Sequence, residues 1–497
     1  MDAPNDKLVR GLGPLDATMI VIGSMIGSGI FITSAESTRL VGAPGWLLLA
    51  WVMAGLMTIG GALCCAELAA MLPRAGGQYV FLRQAYGPSI GFLFGWTLFL
   101  VIQTGTIAAV AIAFAKFAGV FVPAIGNEHY LIKPIHLFGV YAISLSTEQL
   151  VAVLLIFLLT WVNTGGLAIG KMVQNTFTIA KTAALLGLLV AGLSLGWKAT
   201  CAARSSAWWN PWANGWTSEL AQPGLTIVGG LALALIFGKA MVGPLFAQTA
   251  WTNVTFTGSE IRDPGRTLPH ALLIGCGAVV ILYVLTNLAY VATLSLGEIA
   301  HAPQNRVGVA SMSRLFGGPG ASAMAAAILI STFGANNGLI LAGARVYYAM
   351  ARDGLFFRSI ARVNAQHAPS AALVAQGAWA ALLTLPRTVG VGANGAVQYG
   401  NVYTQLLEYI VAADLVFYIL LVAAVIVLRQ KKPDEIRPYR AWGYPLVPVV
   451  AIVLATLLIV DLAILAPATC GIGCAIVLSG LPVFFLWKRQ PDNQSTL

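Results

Sequence analysis

GSMIGSGIF, residues 23–31, sets three glycines and two serines in the middle of an otherwise apolar run. Inside a bilayer every backbone group must be satisfied within the segment, and each unpaired amide or carbonyl costs several kcal/mol. A stretch that loosens a helix is tolerated at that depth only where it faces protein, water or a solute. A second interruption, GPLFAQTAWTN at residues 243–253, brings Pro244 and a set of small or polar residues to the same relative depth of a later run. The two lie about 220 residues apart, so the chain predicts two broken helices with a cavity between them.

The surrounding composition fixes the class. Of 497 residues, 58% are hydrophobic and 9% charged, against ~25% charged in an average soluble domain. That excludes a soluble multi-domain enzyme, a disordered chain and a fibrous one. Apolar segments long enough to span a bilayer, at about 20 residues each, fall at 15–38, 44–72, 87–120, 149–164, 170–196, 226–258, 268–295, 322–351, 370–387, 404–429, 444–467 and 470–488. The expected fold is an all-α polytopic membrane protein with 12 transmembrane helices in one domain, 1–488. Spans 1–5 cover 15–196, spans 6–10 cover 226–429 and spans 11–12 cover 444–488, with a short cytoplasmic tail at 489–497. The interruptions occupy the first span of each five-span half, the pattern of a 5+5 inverted repeat with discontinuous helices 1 and 6. Only Pro467, Ala468 and Thr469 separate spans 11 and 12, which predicts a tight hairpin.

The net charge of +10 follows the loops. With the N-terminus inside, 18 Lys and Arg fall on the inner side and 8 on the outer. This bias places both termini in the cytoplasm and the protein in the cell (plasma) membrane. It removes nucleic acid as a partner. The six cysteines show no metal-ligand spacing, and no cofactor or metal is expected. GGLAIGK, residues 165–171, lacks the Ser or Thr of a phosphate loop, because Met172 stands there. GVGANG, residues 390–395, lies in a loop with no following βαβ pattern. The Asn253-Val254-Thr255 sequon falls inside a helix.

At the breaks, freed amides of Gly27, Ser28 and Gly29, at the positive end of the following half-helix, suit a carboxylate. Freed carbonyls of Met25, Phe246, Ala247 and Thr249 suit an ammonium. Together they form a receptor for an α-amino acid head group; the plainer alternative is that the glycines only let helices pack closely. Intramembrane charges are functional candidates. Lys181, in FTIAKTAAL of span 5, has no acidic neighbour in sequence and could fill the place of a bound cation against span 1. Asp414, in VAADLVF of span 10, could line the cavity, carry a proton or pair with a neighbouring helix. Glu67 and Arg345, near inner ends, read as structural ion pairs, and Lys239 as a snorkelling lysine.

These residues resemble the amino acid–polyamine–organocation (APC) superfamily, most of all its L-type amino acid transporter (LAT) family, over spans 1 to 11. The resemblance rests on IGSGIF, on LPRAGGQYVFLRQAYGP (72–88) and FTIAKTAAL (177–185), and on SEIRDPGRTLP (259–269), YVLTNLAYVATLS (283–295) and STFGANNGLILAGARVYYAMARDG (331–354). It implies that Ser28 and Gly29 bind the substrate carboxylate, that Met25, Phe246 and Thr249 offer carbonyls to its amino group, that Phe246 gates the site, and that Lys181 replaces the sodium of sodium-coupled relatives. Gln248, Trp251, Asp414 and Asn337 are the further pocket candidates; Asn337, in STFGANNG of span 8, could instead cap or bridge helices, or be a buried amide satisfied by backbone. Gln248, Thr249, Ala250, Pro244 and Asp414 depart from the usual pattern where the substrate side chain sits. Animal relatives bind an ancillary glycoprotein through a cysteine between spans 3 and 4. No cysteine lies between Ala118 and Val151, so the resemblance implies a stand-alone bacterial permease.

The expected function is sodium-independent exchange of neutral L-amino acids, not enzyme catalysis. One alternative is proton-coupled or exchange transport of cationic amino acids or polyamines, through Asp414. Another is an amino acid-sensing receptor that does not transport.

Overall fold

The computed structural model describes residues 8, 10–137, 141–198, 200–391, 397–399 and 402–488. The expected tail at 489–497, and most of GVGANG, fall outside them. Among the described residues, eleven helices are long and apolar enough to cross a membrane. Several open on a proline: Pro14, Pro44, Pro88 and Pro264. Proline suits a first turn, where its missing N–H would have no partner anyway.

Span 1 is two helices, Pro14–Met25 and Gly29–Val41. Spans 2 to 5 are Pro44–Met71, Pro88–Ala118, Thr147–Thr164 and Leu167–Leu195. Span 6 is Gly229–Ala247, followed after a gap by the single turn Asn253–Phe256. Span 7 is Pro264–Thr293. Span 8 belongs to a long helix, Val307–Arg352, bent where Gly317 takes φ +67° just before Pro319. Spans 10, 11 and 12 are Val402–Lys431, Leu446–Leu465 and Pro467–Lys488. Pro467 thus opens span 12, and Ala466 alone separates the hairpin pair.

Span 9 differs from its expected limits of 370–387. Its helix, Ser370–Leu383, has 14 residues. At 1.5 Å per residue that is about 21 Å, short of a ~30 Å hydrocarbon layer. The following Pro386–Val391 cannot extend it, because Pro386 ends a helix and the β-branched residues behind it form strand β3. Composition marks the segments between spans 3 and 4 and between spans 9 and 10 as connections. They join instead into a four-stranded antiparallel sheet, β1 (Tyr130–Leu137), β2 (Tyr141–Ser146), β3 and β4 (Val397–Tyr399), in that order. Tyr141 of β2 pairs with Thr388 of β3. The sheet caps one end of the bundle.

Ion pairs fasten the other end. Glu67 accepts from Arg429 Nε and Nη2 at 2.9 and 2.6 Å and from the Ala441 amide at 2.7 Å. Arg345 donates to both oxygens of Glu260 at 2.9 and 3.1 Å, with both side chains buried. Arg83 pairs with Asp353. The structural reading of Glu67 and Arg345 holds. Lys239 is not simply snorkelling, since its Nζ donates to Gln222 Oε1 at 2.7 Å. All six cysteines are free. Cys201, outside the apolar runs, is buried, whereas Cys474 is exposed on span 12.

Candidate functional site

In span 1 the helix stops at Met25 and restarts at Gly29, and Ile26 takes a non-helical ψ of 87°. Other spans hold the loosened backbone. Tyr283 Oη of span 7 donates to the Met25 carbonyl at 2.7 Å. Ser331 Oγ of span 8 lies 3.3 Å from the Ile26 oxygen and 3.4 Å from that of Gly27. Lys181 of span 5, fully buried, donates from Nζ to the Gly23 carbonyl. Carbonyls here are therefore satisfied by side chains from three helices. The amides of Gly27 and Gly29 have no protein acceptor among the described residues.

In span 6 the helix stops at Ala247, and Gln248 to Thr252 form turns. This break is closed by its own chain. The Thr249 amide and hydroxyl both donate to the Phe246 carbonyl, at 3.1 and 2.8 Å. The Gln248 amide reaches Pro244 and Leu245 carbonyls at 3.2 and 3.0 Å. Ala250 sits at φ +68°, an uncommon position for a residue with a Cβ. Of the four carbonyls expected to receive an ammonium, Met25 and Phe246 already accept hydrogen bonds. Ala247 and Thr249 have no donor among the described residues.

The two breaks meet. A Cβ at Gly29 would lie 2.6 Å from Ala247 Cβ and 2.7 Å from its Cα. Only glycine permits this approach of the two breaks. A cavity of about 560 Å³, counted to its mouth, opens beside the span 6 break and is lined by Gln103, Thr249, Trp251, Asn253, Asp414 and Tyr418. A smaller cleft of about 380 Å³ shares Thr249, Trp251, Asp414 and Tyr418 and adds Gln248. Asp414 thus lines both. No hydrogen-bond donor or salt-bridge partner reaches it among the described residues, so pairing with a neighbouring helix is not its role.

Met25, Gly27, Ser28 and Gly29 line neither space, and Phe246 is buried beside them. Asn337 is not brought to the cavity. Its Nδ2 donates to the Gly170 carbonyl at 3.1 Å, and its Oδ1 accepts from Asn163 at 2.9 Å, so it bridges spans 4, 5 and 8. The sequence reading did not single out Tyr283, Ser331, Gln103 or Tyr418. Gln103, in the apolar run LFLVIQTG of span 3, carries the one available signal, a polar side chain at membrane depth; it donates to the Leu339 carbonyl at 2.8 Å.

A family model described as amino acid permease matches residues 12–492. The chain belongs to the amino acid permease family. The permease is 30% identical over 488 residues to the large neutral amino acids transporter small subunit 2 of Homo sapiens, covering 97% of this chain and 82% of that one. It is 29% identical to the Asc-type amino acid transporter 1 of Homo sapiens, over 97% of this chain and 84% of that one. It is 28% identical to the serine/threonine exchanger SteT of Bacillus subtilis (strain 168), over 99% of both chains. The permease is a multi-pass membrane protein of this family, not an enzyme.

Proposed function

We propose that the permease exchanges neutral L-amino acids across the membrane without sodium, by alternating access around the paired breaks. The observation that supports this reading is the contact of Gly29 with Ala247, which joins a break with unbonded amides at Gly27 and Gly29 to a break with unbonded carbonyls at Ala247 and Thr249. Relatives named as neutral amino acid transporters and as a serine/threonine exchanger support it.

In this reading the amides of Gly27, Ser28 and Gly29 take the substrate carboxylate, aided by the dipole of Gly29–Val41. The carbonyls of Ala247 and Thr249 take the ammonium, with Met25 and Phe246 secondary because they are already engaged. Substrate enters when Gly29 and Ala247 part, and Phe246 closes over it. The side chain of the substrate projects toward Gln248, Trp251 and Asp414. Lys181 holds span 1 through its buried amino group where a sodium ion would otherwise sit. The spans form two inverted five-helix halves, both termini are cytoplasmic and the sheet faces outward. No disulfide-linked subunit is required.

Purified permease in liposomes tests this. Labelled L-serine and L-leucine uptake is measured with and without internal amino acid, in sodium and in choline buffer. Uptake that needs internal amino acid and is equal in both buffers is expected. Uptake into empty liposomes that requires sodium would overturn the role given to Lys181. An Asp414-dependent preference for L-arginine would favour cationic cargo instead, a reading supported by the unpartnered position of Asp414.

A further inference from the structure

Span 11 carries a single charged residue, Asp461, in TLLIVDLAIL, one helical turn before the helix ends at Leu465. The side chain is 8% exposed, and neither carboxylate oxygen has a hydrogen-bond partner among the described residues. It lies against the backbone of span 6, where a Cβ on Gly238 would fall 2.7 Å from Asp461 Cγ. The next residue of span 6, Lys239, is close enough for its field to reach the carboxyl. Its Nζ nevertheless donates to Gln222 Oε1, at 2.7 Å. Gln222 is fixed in turn to span 11, its Nε2 donating to the Leu465 carbonyl at 3.2 Å. An ammonium thus stands beside a buried carboxyl and is bonded to a neutral amide instead.

The other elements around span 11 bring Asp461 no donor among the described residues. Span 12 presents Cys470 at this end. Span 10 presents Glu408, which lines a cleft with Glu36 and Lys239 on the flank where Leu462 and Ala466 stand. Arg39 lies beside Glu36. Asp414 of span 10 borders the central cavity. The outer half of span 2 holds no titratable residue, and its Glu67 is bonded to Arg429 at the far end. Glu219, before span 6, accepts from the Gly224 amide at 3.2 Å. A carboxylate buried without a donor is costly in hydrocarbon, and a proton neutralises it where nothing else does.

We propose that Asp461 is a proton-binding site through which the outer solution controls span 6. Asp461 carries a proton while Gly238 lies against it, the state in which Gly29 also touches Ala247. As span 6 moves away from span 11, the O–H bond breaks and the proton leaves to external water. The carboxylate then takes the Lys239 ammonium in place of Gln222, so one charge pair replaces a neutral acid and a singly bonded ammonium. The proton is a ligand of the closed state alone, and a ligand favours the state that binds it. External acid therefore slows exchange. No proton crosses the membrane, because it returns to the side from which it came. The proposal rests on the transport reading above, with the sheet end outward.

The test uses the full-length permease in liposomes loaded with L-serine, the inside held at about pH 7. Exchange with external labelled L-serine is timed as the outside is moved from about pH 8 to about pH 6. A fall of about fivefold toward acid is expected. Asp461→Asn, neutral at every pH, should exchange slowly at rates equal within about twofold across that range, and Asp461→Glu should restore the dependence. Lys239→Met removes the ammonium that receives the carboxylate. The proton is then held to higher pH, so the transition should move in the alkaline direction. A constant rate in the unaltered permease, a dependence that survives Asp461→Asn, or a transition that Lys239→Met leaves in place overturns the proton site. If Asp461→Asn does not fold, the Lys239→Met transition decides. Infrared spectra of the reconstituted protein give an answer independent of transport. At about pH 7, a protonated carboxyl band that Asp461→Asn removes supports the site, and a spectrum that the substitution leaves unchanged overturns it. A protein that shows this band but carries no amino acid at any pH would sink the transport reading and leave the proton site standing.

Discussion

The two broken helices solve the same problem by opposite means. In span 1, Tyr283, Ser331 and Lys181 reach in from spans 7, 8 and 5 to hold carbonyls between Gly23 and Gly27. In span 6, Thr249 and Gln248 close the gap by bonding to carbonyls three or four residues back. The first break depends on tertiary neighbours; the second carries its hydrogen bonds with it. A segment whose bonds are internal can move without breaking them. In the proposed alternating access, span 6 would therefore shift with its backbone bonds intact, and span 1 would exchange partners as it moved.

Substitutions can break or sharpen this comparison. Gly29→Leu should do the greatest damage, because any side chain collides with Ala247 where the breaks meet. Exchange in liposomes should fall by more than about a hundredfold, as expected when overpacking displaces a site. Lys181→Met should come next. It removes the charged donor from span 1 and leaves the Gly23 carbonyl buried without it. A loss worth about 1.5–3 kcal/mol corresponds to about ten- to a hundredfold in maximal exchange rate, even at saturating substrate. A normal rate there would remove Lys181 from the mechanism. Tyr283→Phe deletes one neutral hydrogen bond, and about 1 kcal/mol predicts a roughly fivefold slower exchange.

Asp414→Asn tests the cavity beside span 6, not the break itself. The expected result is a shift of about threefold or more in preference between L-serine and L-arginine, read from competition, with exchange retained. Unaltered preference would place Asp414 outside substrate contact. Thr249→Val should matter least. It removes the hydroxyl bond to Phe246 but keeps the amide bond, so a change under about threefold in rate is expected. If Thr249→Val proved worse than Tyr283→Phe in the same assay, the contrast between the two breaks would be inverted.

Much of the candidate site was legible because hydrocarbon is unforgiving. Glycines 23, 27 and 29 with Ser28, and Pro244 through Asn253, stand out in apolar runs because a membrane helix has no other reason to tolerate them. Lys181 was legible for the same reason. For Asn337 the sequence left a pocket role and a helix-bridging role both open, because an apolar helix buried on nearly all sides gives no periodicity to say which neighbour a given face meets. Its amide turned out to point at spans 4 and 5. The sheet was missed because β2 and β3 pair across about 250 residues, from Tyr141 to Thr388. Neither strand is marked by a local turn signal shared with its partner.

The sequence by itself determined the class of molecule, the depth of the two interruptions and the charges that stand without local partners. These follow from the cost of placing polar groups in hydrocarbon, which acts residue by residue. Only the tertiary structure decided which carbonyls remain open, that Ala247 touches Gly29, that Asp414 faces a cavity while Asn337 does not, and that Glu36, Glu408 and Lys239 share one cleft. Those facts depend on how helices distant in the chain are rotated and seated against one another. Packing sets that arrangement, and no single stretch of sequence records it.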